Sequence, residues 1–188
     1  TQATGTTSHA EGYQTTASGD YSHAEGYGGK SGLIASGVGS HAEGYNTRAS
    51  GDYSHAEGGY ETTASGDYSH AEGSETTASG PGSHAEGGDT LASGSNSHAE
   101  GLNTIASNQG SHAEGGSTTA SGLYSHAEGY QTTASGDYSH AEGGGGKFGL
   151  TASGNQSHAE GLETKAIGIA SHAEGVLTTA SGYASHAG

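Results

Sequence analysis

The sequence of 188 residues has no cysteine, methionine or tryptophan, and it has one proline and one phenylalanine. The absence of cysteine excludes disulfides and thiolate metal sites. Only 28% of the residues are hydrophobic, which excludes a globular core built from leucine, isoleucine and phenylalanine. No apolar run approaches the roughly 20 residues of a membrane-spanning helix, so we expect no membrane span in this chain.

Positive charge is also scarce. The chain has 4 Lys and Arg residues against 20 Asp and Glu residues, which gives a formal net charge of −16. Electrostatic repulsion therefore argues against nucleic acid and against an anionic membrane surface as partners. The composition alone is typical of a disordered chain, but a strict repeat can stabilise such a chain by letting it stack on itself.

The sequence is rich in one repeated pentapeptide, Ser-His-Ala-Glu-Gly, which first occurs at residues 8–12. All 13 histidines lie in the context Ser-His-Ala, and 12 of these continue with Glu-Gly. From His9 to His186 the spacing is 14 residues in nine intervals, 18 in two and 15 in one. A short fixed period predicts a solenoid, here a single repeat domain over residues 1–188 with about 13 coils.

Each 14-residue unit has two halves that share the pattern Ser/Thr-x-Ala-x-Gly-x-x. The S-half is Ser-His-Ala-Glu-Gly, and the T-half is typically Thr-x-Ala-Ser-Gly, as in residues 62–66. Because side chains alternate between the two faces of a strand, columns one and three point inward and columns two and four point outward. The sequence therefore predicts an all-β fold, a parallel β-roll or β-solenoid of 14-residue coils with two short strands each. Glycine in column five is expected to make the turns, and we interpret its replacement by Asn108 as tolerance of positive φ.

The longer units carry their extra residues at one turn. Loops of Gly-Gly-Lys type occur near residues 28–31 and 144–148, and the extra residue of the 15-residue unit lies around Gly59. Loops that grow at one corner leave the stacked strands intact.

The doubled Ser/Thr-x-Ala-x-Gly-x-x unit resembles the Hep/Hag repeat of YadA-like trimeric autotransporter adhesin heads, and it is similar to repeats of phage tail fibres. The resemblance covers essentially the whole chain. It implies a left-handed roll, three chains side by side, and an extracellular adhesive fibre at a bacterial cell surface or on a phage virion. The partners would be further copies of the chain and a surface receptor or glycan. We expect the chain to be part of a longer protein, with end-to-end filament growth as a further form of self-association.

The outward positions of the S-half are commonly aliphatic in that family, and here they are His and Glu. Stacking would place His above His and Glu above Glu about 4.8 Å apart, so the carboxylates would repel one another. A His of one chain that donates to a Glu of the next chain would compensate this repulsion. We predict this inter-chain ladder for His23, Glu25, His55, Glu57, His70, Glu72, His84, Glu86, His98, Glu100, His112, Glu114, His126, Glu128, His140 and Glu142.

Catalysis is not expected, because adjacent Ser and His side chains on a strand point to opposite faces and cannot form a nucleophile–base pair. No cofactor is expected either. The alternative is a single-chain solenoid with a binding face. That face would bind a divalent metal through His-x-Glu, or ice through a hydroxyl face. The hydroxyl face comprises Thr16, Ser18, Thr63, Ser65, Thr77, Ser79, Thr119, Ser121, Thr133 and Ser135.

Overall fold

A computed structural model describes residues 1–188, and all of its 26 regular elements are β-strands. The chain divides into two compact units, Thr1–Asn96 and Ser97–Gly188. The first unit contains β1 (Gln2–Ala3), β2 (His9–Tyr13), β3 (Thr15–Ala17), β4 (His23–Tyr27), β5 (Leu33–Ala35), β6 (His41–Tyr45), β7 (Arg48–Ala49), β8 (His55–Tyr60), β9 (Thr63–Ala64), β10 (His70–Ser74), β11 (Thr77–Ala78), β12 (His84–Gly88) and β13 (Leu91–Ala92). The second contains β14 (His98–Leu102), β15 (Ile105–Ala106), β16 (His112–Gly116), β17 (Thr119–Ala120), β18 (His126–Tyr130), β19 (Thr132–Ala134), β20 (His140–Gly144), β21 (Leu150–Ala152), β22 (His158–Leu162), β23 (Lys165–Ala166), β24 (His172–Ala173), β25 (Thr179–Ala180) and β26 (His186–Ala187).

In each unit the strands alternate between two parallel sheets. The even-numbered strands, which begin with His-Ala, form what we call the His–Glu sheet. The odd-numbered strands form the Thr–Ser sheet. Each strand pairs in register with its equivalent in the next coil, as in His70↔His84 and Ala120↔Ala134. The predicted fold class, an all-β parallel solenoid of 14-residue coils, is therefore confirmed in both units, whereas the single repeat domain over 1–188 stays a prediction.

The interior is made of small side chains. Column three is alanine, and apart from Ala3, Ala10 and Ala187 in the terminal strands these alanines are 0–3% exposed. Column one is mostly serine or threonine, which is buried in all but the terminal coils, and the Ser22 hydroxyl donates to the Gly19 carbonyl at 2.6 Å. The inward and outward columns thus lie where strand alternation places them, and the narrow interior excludes large side chains except Leu33 and Leu150.

Glycine in column five has two different roles. In the Thr–Ser half a Cβ at Gly66 would lie 2.2 Å from the Gly80 carbonyl oxygen, so the close approach of successive coils favours glycine. In the His–Glu half the same crowding is joined by a positive φ, as at Gly26 with φ +132°. Asn108 belongs to the first kind and has no positive φ, so our interpretation of it was wrong. Its side-chain amide donates to the Ser121 carbonyl at 3.2 Å.

The insertions form loops outside the paired strands. Gly28–Gly32 and Gly145–Gly149 are each closed by a hydrogen bond of 2.6 Å, from the last glycine N–H to the first glycine carbonyl. Across the first loop Thr15 still pairs with Leu33. Gly59 forms a bulge, because Gly73 pairs with Gly58 and Ser74 pairs with Tyr60.

The turns contain residues in the left-handed conformation that the sequence did not reveal. Twenty non-glycine residues have φ between 48° and 59°, most of them at the last position of a turn. The N–H of Tyr53 donates to the Val38 carbonyl at 2.7 Å, and that of Tyr68 donates to the Asp52 carbonyl at 2.8 Å. The left-handed conformation therefore extends the hydrogen-bonded stacking through the turns.

Candidate functional site

The outward histidines of the His–Glu sheet form stacks of imidazole rings. From His23 to His84, and from His98 to His186, successive ring centroids lie 4.7–5.0 Å apart with interplanar angles of 3–13°. His9 and His23, by contrast, meet edge to face at 77°. The strand register imposes this stacking, because identical columns pair in every coil.

The glutamates lie beside the histidines of the same strand, since residues two apart share a face. The distance from His Nε2 to Glu Oε2 within a strand is 3.4–3.9 Å in ten of the twelve coils that carry both residues. We call the two outward rows the His–Glu columns. Seven of the eight predicted pairs approach in this way, and His70–Glu72 does not. The repeat also adds to these columns His9, Glu11, His41, Glu43, His158, Glu160, His172, Glu174 and His186.

Three glutamates of the second unit, Glu142, Glu160 and Glu174, contact the histidine of the following coil. The Nε2 atom of His172 lies 3.5 Å from Glu160 Oε1, and that of His186 lies 3.2 Å from Glu174 Oε1. In the first unit each paired glutamate contacts the histidine of its own strand only. A carboxylate of the second unit can therefore lie between two imidazoles.

Burial and crowding change the ionisation of the columns. Burial lowers the pKa of His55, His126 and His158, and the stacked histidines on either side lower it further. Burial also raises the pKa of Glu128 to about 7, together with hydrogen bonds to the neighbouring carboxyl groups of Glu142 and Glu114. For Glu142, burial acts in the same direction, but hydrogen bonds with its neighbours and the nearby histidines hold its pKa below the usual value. Burial therefore favours the neutral imidazole at these three histidines and the protonated carboxyl group at Glu128.

Each serine of the pentapeptide lies on the opposite face from its histidine. Ser125 is 1% exposed, and its hydroxyl donates to the Gly122 carbonyl at 2.8 Å, whereas His126 faces outward. The two side chains are thus separated by the sheet and cannot act as nucleophile and base.

The predicted hydroxyl residues lie on the outer face of the Thr–Ser sheet, with the threonines half-buried and the serines exposed apart from half-buried Ser121. Arg48 pairs with Thr63, and Leu91 pairs with Thr77, so these side chains interrupt the threonine row. The longest run in the second unit, Thr119–Thr133–Thr151, covers three coils. A row this short gives little support to the ice-binding alternative.

Tyrosines form shorter stacks at the turns. Tyr13, Tyr27, Tyr45 and Tyr60 follow one another with ring centroids 5.0–5.9 Å apart, and they remain 37–55% exposed. Stacking covers the ring faces and leaves the edges and hydroxyls to solvent. A receptor or glycan would therefore meet mainly edges and hydroxyls on this surface.

Comparison with protein-family models matches the YadA head domain repeat (2 copies) at residues 3–28, 34–58, 71–97, 85–107, 113–139 and 120–145. These segments together cover more than half of the chain. No curated protein matches the sequence. None of the elements is a helix with the length and apolar character needed to cross a membrane.

Proposed function

We propose, from the premise that this chain belongs to the YadA head-repeat family, that it is a structural segment of an adhesive extracellular fibre. Heads of this family are trimeric and surface-exposed, and in general they are not enzymes. The match supports a cell surface as the location, and the phage virion stays an untested alternative. We further propose that three copies associate through the His–Glu columns.

The observation that carries this proposal is the constancy of the outward columns of the His–Glu sheet. Column two is His in all 13 S-halves, and column four is Glu in 12 of them. The equivalent column of the Thr–Ser sheet accepts Gln, Thr, Ile, Arg, Leu and Lys. An exposed position that contacts no partner is free to vary from repeat to repeat. A position that contacts a second chain with the same 14-residue period is constrained in the same way in every repeat.

A second chain would also supply hydrogen bonds that one chain lacks. The Nε2 atoms of His126 and His140, for example, are buried and make no hydrogen bond within the chain. Buried polar atoms without partners are costly, so a neighbouring carboxylate that accepted from these rings would stabilise the assembly. The inter-chain His–Glu contact is proposed for all sixteen predicted ladder residues.

Native mass spectrometry of the purified chain tests the trimer, with and without a chelator. We expect a trimer that the chelator leaves unchanged. The double variant His126→Ala/His140→Ala should weaken the trimer, and the matched variant Thr119→Ala/Thr133→Ala on the other sheet should not. A wild-type chain that remains monomeric at micromolar concentration would overturn the trimer and favour a single-chain solenoid.

A further inference from the structure

We propose that the second unit binds divalent transition-metal ions, such as Zn²⁺, Co²⁺ or Ni²⁺, in His–Glu–His triplets of its columns. Each triplet combines the His and Glu of one coil with the His of the next, and its ligand atoms lie within 4.8 Å of one another. The five triplets are His98–Glu100–His112, His112–Glu114–His126, His126–Glu128–His140, His140–Glu142–His158 and His158–Glu160–His172. This inference concerns one chain, and a histidine that binds an ion through Nε2 gives up the inter-chain hydrogen bond proposed above.

The spacing between imidazole and carboxylate suits two ligands of one ion. His112 Nε2 lies 3.6 Å from Glu114 Oε2, and the equivalent distance is 3.4 Å for His98 and Glu100. These separations exceed the usual 2.7–3.2 Å of an N–H···O hydrogen bond. Two ligands bound tetrahedrally at 2.0–2.1 Å stand about 3.3 Å apart, so the pairs lie close to the separation that a zinc-like ion requires.

Five of the imidazole nitrogens that face the carboxylates form no hydrogen bond within the chain. The Nε2 atoms of five successive histidines are buried and form no hydrogen bond, namely those of His112, His126, His140, His158 and His172. A neutral imidazole offers a lone pair at such an atom. Borderline divalent ions accept both imidazole and carboxylate ligands, so an ion would satisfy atoms that the chain leaves unpaired.

In the last two triplets the carboxylate contacts both rings. Glu160 places Oε2 3.9 Å from His158 Nε2 and Oε1 3.5 Å from His172 Nε2. The rings stack in parallel, so a modest rotation of side chains that are 33–37% exposed must bring the second ring onto the ion. Two His and one Glu leave a fourth position for water, a ligand set that zinc proteins use.

The charge of the columns favours a cation. The ion pairs of the second-unit glutamates in these columns are all to histidines, and none is to Lys or Arg. A divalent ion would compensate two carboxylates of a row spaced at the coil repeat. The first unit contains none of these triplets.

The sharing of histidines limits how many ions can bind. Neighbouring triplets have one histidine in common, and its single outward Nε2 cannot serve two ions. Only alternate triplets can fill together, which gives three ions per chain, centred on Glu100, Glu128 and Glu160. The other arrangement, centred on Glu114 and Glu142, holds two ions.

The test is a titration of chelator-treated protein with Co²⁺, followed by the visible absorption of bound cobalt and by metal analysis after gel filtration. We expect three ions per chain for the wild type. Glu100→Gln/Glu128→Gln/Glu160→Gln should lower this to two, because the ions move to the remaining triplets. Glu114→Gln/Glu142→Gln and the first-unit control Glu11→Gln/Glu25→Gln/Glu43→Gln should leave it at three.

Binding of less than one ion per wild-type chain would overturn the proposal. A loss of ions in the first-unit control equal to that in the second-unit variant would equally overturn the assignment to the second unit. Native mass spectrometry of the same samples separates this inference from the proposed function. A metal-loaded monomer would support the metal sites and refute the trimer. A trimer that binds no metal would support the trimer and refute the metal sites.

Discussion

The His–Glu sheet and the Thr–Ser sheet share the same backbone repeat and the same inward columns, but they differ on the outside. Strands of the first sheet are mostly five residues long and carry an unchanging His and Glu, whereas those of the second have two or three residues and a varied outer column. Identical inward columns show what the coil needs in order to stack. The outward difference shows which face has a further constraint, and we assign that constraint to self-association and metal binding.

The two turn glycines provide the largest expected difference between the sheets. A Cβ at Gly129 or at Gly136 would lie 2.1 Å from a carbonyl oxygen of the next coil, and only Gly129 has a positive φ, of 106°. Gly136→Ala should destabilise by about 3 kcal/mol through overpacking. Gly129→Ala should cost about 1–2 kcal/mol more because of its backbone conformation. Unfolding by guanidinium measures the loss of stability in both variants. Equal losses would mean that the positive φ of Gly129 adds no cost of its own.

Enlarging the inward columns should affect both sheets alike. Ala127→Val and Ala134→Val should each destabilise by about 1–3 kcal/mol, because both alanines are fully buried in the narrow interior. The outward Thr133→Leu serves as the matched control and should change stability by less than about 0.5 kcal/mol, since Leu91 occupies the equivalent column. Urea midpoints distinguish these outcomes. A large effect of Thr133→Leu would mean that the Thr–Ser sheet is also constrained.

Acidification should affect the His–Glu sheet and not the Thr–Ser sheet. In the folded state the pKa values of His55, His126 and His158 lie below 6.5. The stability that these neutral imidazoles contribute is therefore fully present above pH 6.5, and it is lost as the pH drops through the folded-state values. Glu128 acts in the opposite direction, because its pKa is raised in the folded state. Its contribution to stability is fully present below about pH 4.5 and is lost as the pH rises through about 7. Because three histidines oppose one glutamate, we expect a net decline of stability as the pH falls below 6.5. His126→Gln should flatten the decline in melting temperature, whereas Thr133→Ala should not, and a pH-independent wild type would contradict the assignment.

Relief of the left-handed turn residues gives the smallest expected effect. Leu177 follows a His–Glu strand and Ala184 follows a Thr–Ser strand, with φ values of 59° and 49°. Glycine removes a conformational cost of about 1–2 kcal/mol but adds chain entropy to the unfolded state. Leu177→Gly and Ala184→Gly should therefore each stabilise by about 0.5–1 kcal/mol. If the thermal midpoint falls instead, the side chains at these turns contribute packing that the glycine removes.

Much of the fold was predictable because a strict repeat exposes its own constraints. Column three is alanine in every copy, so burial of residues such as Ala127 could be foreseen before any contact was known. The extra residue around Gly59 was likewise visible in the spacing, but we expected it at a turn and it forms a bulge within β8. The left-handed conformation of Tyr53 and Leu177 gave no such signal, because neither residue type favours it. The interpretation of Asn108 was wrong because crowding and positive φ both favour glycine, and the sequence does not show which of the two applies at a given turn.

The sequence by itself determined the period, the two strands per coil, and the appearance of His and Glu on one outer face. Only the tertiary structure decided that the imidazoles stack in parallel and that Glu160 reaches His172 in the next coil. The pentapeptide is the same in both units, yet the coil-to-coil contact forms in the second unit alone. The physical reason is that strand alternation fixes which face a side chain occupies, whereas a distance of 3–4 Å between coils depends on side-chain conformation and local backbone spacing, which one repeat does not encode.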